Sequence, residues 1–232
     1  MNWADHNLHK QGNVVVVEPW RQFDWLTAGF TLASAGNMSY KFGDKDQVDK
    51  TRQVIGSTIV TMDQVHGDKI QVVESVDHNF LETDGMMTAK NDIVLAVLVA
   101  DCVPLLFMDP VRRVVAVAHA GRRGTFAGIA KKMFCIISEH GSKVSDIQVV
   151  IGPSIGPCCY VFDDQPLDLW SLNEQQLRDS GATTIIRTDL CTKHTDYFFS
   201  HQRDPQAGRF AGFIGGLLPF LGPPGSTSDW QR

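Results

Sequence analysis

The chain has 232 residues, of which 43% are hydrophobic and 20% charged, the balance of an ordinary soluble globular protein with one sizeable core. A formal net charge of -5 excludes any general attraction to nucleic acid or anionic membrane, so an anionic ligand would need a local basic cluster. No apolar run approaches a membrane span, Met1 to Gln11 lacks the apolar core of a secretory signal, and five cysteines without paired spacing point to a reducing cytoplasm.

Val14-Val15-Val16-Val17 predicts a strand, and Ala28 to Leu32 a second before the small-residue stretch Ala33 to Asn37. Asp44 to Ile55 predicts a surface helix. Strands follow over Ser57–Met62, Ile70–Val73 and Asp92–Val99, the last a near-continuous apolar run suited to burial on both faces. Pro104–Met108 and Arg113–Ala118 add two more around the Asp109-Pro110 turn. Apolar residues at helical spacing from Phe126 to Ile137 predict one helix over Thr125–His140, stopped by Gly141. Ile147–Ile151 is a strand running into the rigid loop Gly152 to Tyr160. Leu172–Ser180 reads as helix, Thr183–Arg187 and Phe210–Ile214 as strands, and the Gly-Pro-rich residues 219–232 as a mobile tail behind a single domain of residues 1–218.

Three stretches carry candidate chemistry: Gln64-Val65-His66-Gly67, Ala100-Asp101-Cys102-Val103-Pro104 and His119-Ala120-Gly121-Arg122-Arg123-Gly124. His66, Cys102 and His119 offer two imidazoles and a thiolate, a set that suits zinc or copper rather than magnesium or calcium and leaves a fourth position open. The same residues also read as a buried thiol beside strand-capping histidines. A metal-free pair is a further reading, with Cys102 as nucleophile, His119 as base and Asp101 or Asp84 as orienter. Spacing alone leaves these open. Gly121 to Thr125 opens the strongest predicted helix, so backbone N-H groups and the Arg122 and Arg123 guanidiniums are expected to converge on an anion such as phosphate. Arg52, Arg203 and Arg209 are further cations that either join the site or pair at the surface. Cys158 and Cys159 are available as a fourth ligand, although a packed loop accounts for them as well.

Taken together, the blocks Gly36-Asn37-Met38-Ser39, Gln64 to Gly67, Thr83-Asp84-Gly85, Ala100 to Pro104, His119 to Gly124, Ile151 to Tyr160, Leu190-Cys191-Thr192, and Phe198 to Asp204 followed by Gly208-Arg209 span nearly the whole chain. In order and spacing they resemble the purine nucleoside phosphorylase family of YfiH and YlmD type, formerly described as multicopper polyphenol oxidoreductases or laccases. The resemblance implies an α/β (α+β) fold of αββα-type layers, with central mixed β-sheets covered by helices. It implies a zinc or copper site at His66, Cys102 and His119, with Asp101 beside it in the catalytic group. Substrate contacts would come from Asn37, Arg52, Asp84, Arg123 and Arg209. The implied reaction is phosphorolysis of adenosine, inosine and 5'-methylthioadenosine, with adenosine deamination and polyphenol oxidation as companion activities.

Expected partners are therefore purine nucleosides and phosphate, with no nucleic acid, no membrane, and a homodimer as the assembly to test. The chain departs from the family pattern in placing Arg122 where a Trp is usual, and Thr51 where Asn is frequent. It is also shorter before Asn37 and, by several tens of residues, between Tyr160 and Leu167. Two competing readings stand beside phosphorolysis. Copper-dependent phenol oxidation is one, although eight histidines show no dense His pairs of the kind that several copper ions require. A catalytically silent module that keeps its metal is the other.

Overall fold

A computed structural model describes residues 1–56, 59–76 and 80–216. The strands in chain order are β1 (Leu8–Gln11), β2 (Val14–Val17), β3 (Leu26–Thr31), β4 (Ile59–Val60), β5 (Ile70–Val72), β6 (Gly85–Thr88), β7 (Val94–Val99), β8 (Val103–Asp109), β9 (Val114–Ala120), β10 (Gln148–Ile151), β11 (Val161–Phe162), β12 (Gln165–Pro166), β13 (Thr184–Arg187) and β14 (Phe210–Gly216). The helices are α1 (Lys45–Arg52), α2 (Arg122–Phe126), α3 (Ile129–Glu139) and α4 (Leu169–Asp179).

Two mixed six-stranded sheets carry the architecture, ordered β1-β2-β3-β14-β7-β4 and β13-β10-β8-β9-β6-β5. Pairing is antiparallel except at β4 with β7, β5 with β6, and β10 with β13. The sheets face each other. Val15, Phe30, Leu95, Val97, Phe210 and Ile214 from the first pack with Met86, Leu106, Met108, Val115, Val117 and Val150 from the second in one buried cluster. The alternate residues of β8 and β9, including Leu105, Phe107, Ala116 and Ala118, turn outward and are covered by Ile129, Met133, Phe134 and Ile137 of α3 and Leu169 and Leu177 of α4. On the other sheet, Val16, Ala96 and Phe213 are roofed by Met38 and Ile55. Strands buried on both faces explain why the sequence reads Val-Leu-Ala-Val-Leu-Val over β7 instead of alternating. The expected α/β (α+β) layering is thus present, with a thinner cover on the first sheet.

Several boundaries differ from expectation. The single helix expected over Thr125–His140 is two, because Gly128 adopts φ +81° and ends α2 after five residues before α3 starts. Phe126 consequently points outward, 58% exposed, where helical spacing alone placed it in the core. β1 and β6 were not expected: Leu8-His9-Lys10-Gln11 is an edge strand whose lone apolar residue is buried, too weak a pattern to read locally. Asp44 caps α1 by accepting from the Gln47 N-H at 3.2 Å. The expected strand over Ser57–Met62 is confined to β4 within the described residues, and the expected tail, residues 219–232, lies outside them. The short span after Tyr160 closes as the β11–β12 ribbon, turned by Asp163 and Asp164 at φ +50° and +59°.

β7 belongs to one sheet and β8 to the other, so the three residues Ala100, Asp101 and Cys102 are the chain's crossing between them. That crossing brings candidate chemistry to the end of the sandwich. Phe30 is fully buried between the sheets. Phe30→Ala is expected to cost about 3–5 kcal/mol in equilibrium urea denaturation. Val111→Ala, at a position 72% exposed in the β8–β9 turn, should stay within about 0.5 kcal/mol of the parent.

Candidate active site

His66, Cys102 and His119 converge, with their ligating atoms all within 4.8 Å of one another. Cys102 comes from the sheet crossing, His119 from the penultimate position of β9, and His66 from the loop after β4 at φ +63°. The imidazole rings stand 4.7 Å apart between centroids at 69°. Gly121 keeps the space between them open: a Cβ there would lie 2.9 Å from His66 Cδ2 and 3.1 Å from Cys102 Sγ. Gln64 pins the loop to β7 by donating to the Leu98 carbonyl at 2.7 Å and accepting from the Leu98 N-H at 2.9 Å.

Asp84 organises this group from behind. It is fully buried and accepts from His119 Nδ1 at 2.8 Å, His66 N at 2.9 Å, Gly67 N at 2.7 Å and Val65 N at 3.2 Å. Its carboxylate thereby fixes the Nδ1-H tautomer of His119 and turns Nε2 toward Cys102. Burial would raise its pKa, but the His119 imidazole and the Gly67 and Val65 N-H groups win and hold it below the ordinary carboxylate value. Burial likewise opposes ionisation of Cys102, yet His119 and His66 draw its thiol down to about 6. His119 is pushed up to about 9, burial being outweighed by the Cys102 sulfur and by Asp84.

The group opens on a cavity of about 680 Å³, a volume suited to a small organic ligand. Arg52, Arg122 and Arg209 line it, each guanidinium lying over a ring: Arg52 4.1 Å from the Tyr40 centroid, Arg122 3.9 Å from Phe162, Arg209 3.9 Å from Phe42. None of the three forms a direct ion pair among the described residues. Lys41, also on the wall, is paired with Asp63 at 2.7 Å. Asp101 sits beside Cys102 at φ +90°, accepting from Thr192 Oγ1 at 2.6 Å and Gln202 N at 2.7 Å. A non-glycine residue held there by surrounding bonds marks a spot where structure overrides local preference.

Three expected substrate contacts lie outside the cavity lining. Asn37 lies outside the cavity lining; its amide donates to the Ser39 carbonyl and accepts from Ser39 N and Arg209 N, so it shapes the loop carrying Tyr40 and positions Arg209. Asp84 faces the histidine side as described, with no place on the wall. Arg123 points away, donating to the Val65 carbonyl at 3.1 Å, and α2 is too short to present the helix terminus on which a phosphate was expected. Arg203 is spent on the Thr192, Thr195 and Phe198 carbonyls. Cys158 and Cys159 do not complete the His66 group; they assemble with Cys191 and His194. Wall residues that sequence reading did not single out are Tyr40, Phe42, His201 and Gln202, whereas Ile155 and Tyr160 belong to the rigid loop after β10. Tyr40 and Phe42 sit between recognised blocks, and only their proximity to Arg52 and Arg209 reveals a role.

Fold and site together define a mixed two-sheet protein with a soft-donor centre under a cationic, aromatic cavity. A family model described as "Multi-copper polyphenol oxidoreductase laccase" matches residues 29–166 and 163–216, and the chain belongs to that family. The two matched stretches meet at the β11–β12 ribbon. Among relatives, purine nucleoside phosphorylase YlmD of Bacillus subtilis is 34% identical over 88% of this chain and 94% of its own length. The crystal structures of YlmD from Geobacillus stearothermophilus and of the hypothetical protein YfiH of Bacillus licheniformis each superpose with a TM-score of 0.82, at 30% and 31% identity, covering 90% of this chain and 98% of theirs.

The two perturbed groups set a pH window for the chelator-treated protein. The depressed Cys102 contributes stability above its ordinary value and loses it as pH falls through about 6; the raised His119 contributes below its ordinary value and loses it as pH rises through about 9. Thermal stability of the metal-free protein is expected to be greatest between these limits. Thiolate ultraviolet absorbance should titrate near the lower one, and His119→Asn should move that titration upward.

Proposed function

We propose that this protein is a purine nucleoside phosphorylase whose reaction takes place in the cavity above His66, Cys102 and His119. The observation that carries this reading is the juxtaposition of three ring-stacked guanidiniums, without a direct ion pair among the described residues, with a three-donor centre in a chain of net negative charge. Anion binding is local here, as phosphate recognition in an acidic protein demands. The naming of YlmD as a purine nucleoside phosphorylase supports the same substrate class.

Two imidazoles, one thiolate and the void that Gly121 leaves fit zinc or copper. Either ion, when bound, supplies Lewis acidity. The protein's own groups do the rest. Arg52 and Arg209 hold phosphate with its charge delocalised over two guanidiniums, each half-desolvated and stacked on Tyr40 or Phe42. A phosphate oxygen bonds to C1' of the ribose while the C1'-N9 bond breaks, and the pair of electrons leaves with the purine. Tyr160, Phe42 and Ile155 offer the apolar surface on which the base lies. His201, on the wall and with Nδ1 3.3 Å from the Pro205 carbonyl, presents its other nitrogen for proton delivery to the departing base. Asp101 is anchored to the loop carrying Gln202 and orients that part of the wall. The products are ribose 1-phosphate and the free purine. Adenosine, inosine and 5'-methylthioadenosine are the expected substrates, with adenosine deamination as a companion reaction. The catalytic unit is taken as residues 1–218, working in a reducing cytoplasm that keeps its five cysteines free.

Phenol oxidation at several copper ions finds little support in the donor groups, since neither of the two among the described residues gathers more than two imidazoles. The test is incubation of metal-loaded protein with inosine and phosphate, followed by chromatography for hypoxanthine and ribose 1-phosphate. Cys102→Ala is expected to lower kcat by about 10² or more, and Arg209→Ala to raise the KM for phosphate about tenfold. Purine release independent of phosphate, or oxygen uptake with a phenol and no ribose 1-phosphate, would overturn the assignment.

A further inference from the structure

Cys158, Cys159, Cys191 and His194 bring four soft donor atoms within 4.8 Å of one another, in a group separate from His66, Cys102 and His119. The pieces come from two segments. Cys158 and Cys159 lie in a turn at the end of the loop after β10, where Cys159 N and Tyr160 N both donate to the Gly156 carbonyl at 3.0 and 3.1 Å. Cys191 and His194 lie after β13, three positions apart across a single turn of 3₁₀ helix, so that both side chains emerge on one side. The segments are already laced together: Ser154 N donates to the Leu190 carbonyl at 3.1 Å and Thr192 N to the Ser154 carbonyl at 3.0 Å.

We propose that these four residues form a second metal site, a closed tetrahedral Cys₃His centre that takes zinc and clamps the cavity wall. Zinc bonds of about 2.3 Å to sulfur and about 2.0 Å to nitrogen place ligand atoms roughly 3.5–3.8 Å apart, a separation inside the 4.8 Å that already encloses the four donors. Cys158 Sγ stands 3.8 Å from His194 Nδ1, and Cys159 Sγ 3.0 Å from His194 Nε2, so ring rotation selects the ligating nitrogen. The Gly156 N-H donates to Cys191 Sγ at 3.3 Å, the kind of backbone bond that stabilises a ligating thiolate. Thiolates of this number exclude magnesium and calcium, and a full set of four protein donors leaves no open position, in contrast with the three-donor centre. The exposed Lys193 stands beside the cluster and offsets the negative charge of a three-thiolate zinc centre.

The consequence for the cavity is mechanical. Ile155 and Tyr160, on either side of the cysteine turn, line it, and Thr192 of the other segment holds Asp101. A metal joining the two segments therefore fixes the wall and Asp101 together.

Protein reduced and stripped of metal is titrated with zinc against a chromogenic chelator, and separately with cobalt(II). The wild type is expected to take up about two equivalents of zinc per chain, Cys158→Ser/Cys191→Ser about one, and Cys102→Ala to retain the equivalent that the double variant lacks. Cobalt should give the strong thiolate charge-transfer and tetrahedral d-d absorption of a three-sulfur site in Cys102→Ala, and lose it in the double variant. The exposed His194→Ala, in which no buried contact is removed, repeats the test if the double variant does not fold and should weaken and shift the cobalt spectrum. A single equivalent in wild type with the spectrum abolished by Cys102→Ala overturns the proposal. So does mass spectrometry that finds a disulfide among Cys158, Cys159 and Cys191 in freshly isolated protein.

Discussion

The candidate centre depends on one buried carboxylate. Asp84 accepts four hydrogen bonds, three from consecutive backbone N-H groups of the His66 turn and one from His119. A buried anion is tolerable only where its acceptors are satisfied in this way, and each bond it accepts also fixes something the centre needs. The N-H groups of Val65, His66 and Gly67 can all face one carboxylate only because the turn takes up a positive φ at His66. The same carboxylate decides the tautomer of His119. Two members of the donor cluster, from distant parts of the chain, are set by a residue that lies off the cavity lining.

The sandwich supplies the third donor, Cys102, by a different constraint. Because β7 and β8 lie in opposing sheets, the chain must cross the gap between them in three residues. Asp101 is forced to φ +90° in doing so and is held there by Thr192, Gln202 and the Ile155 N-H that donates to its carbonyl at 2.9 Å. Cys102 follows directly and is delivered to the two imidazoles. The strain at the crossing and the placement of the thiol are one structural fact, and the loops that relieve it are also the walls of the cavity.

Cation placement shows how far local pattern reaches. Two adjacent arginines at a helix start read as an anion cradle, but Gly128 breaks the helix, leaving α2 with five residues. Arg123 then serves the His66 turn through the Val65 carbonyl, while Arg122 enters the cavity over Phe162. Arg122 stacks on an aromatic of the short β11–β12 ribbon, so a flat guanidinium face meets that side of the cavity. Arg52 and Arg209 reach the same cavity from opposite ends of the chain, each placed by the Met38–Asn37 loop: Arg52 Nε donates to the Met38 carbonyl and Arg209 N to the Asn37 side chain.

Strand identity was readable from the sequence because burial on both faces demands apolar runs, as in β7, β8 and β9, and the three residues that converge, His66, Cys102 and His119, were readable as candidates because soft donors stand beside turn residues in each block. The amphipathic face of α3 was equally plain. What the linear order could not carry were facts that depend on packing: the edge strand β1, whose single buried side chain leaves no periodicity, and the interruption at Gly128, where a glycine is compatible with either continuation or a stop. It also could not show that Asn37 accepts from the distant Arg209 N-H, that Asp84 is consumed by the N-H groups of the His66 turn, or that Cys158, Cys159, Cys191 and His194 meet. Residue chemistry is written in the chain, whereas hydrogen-bond partners and donor sets are decided only when the two sheets close on each other and bring the loops at their common end within bonding distance.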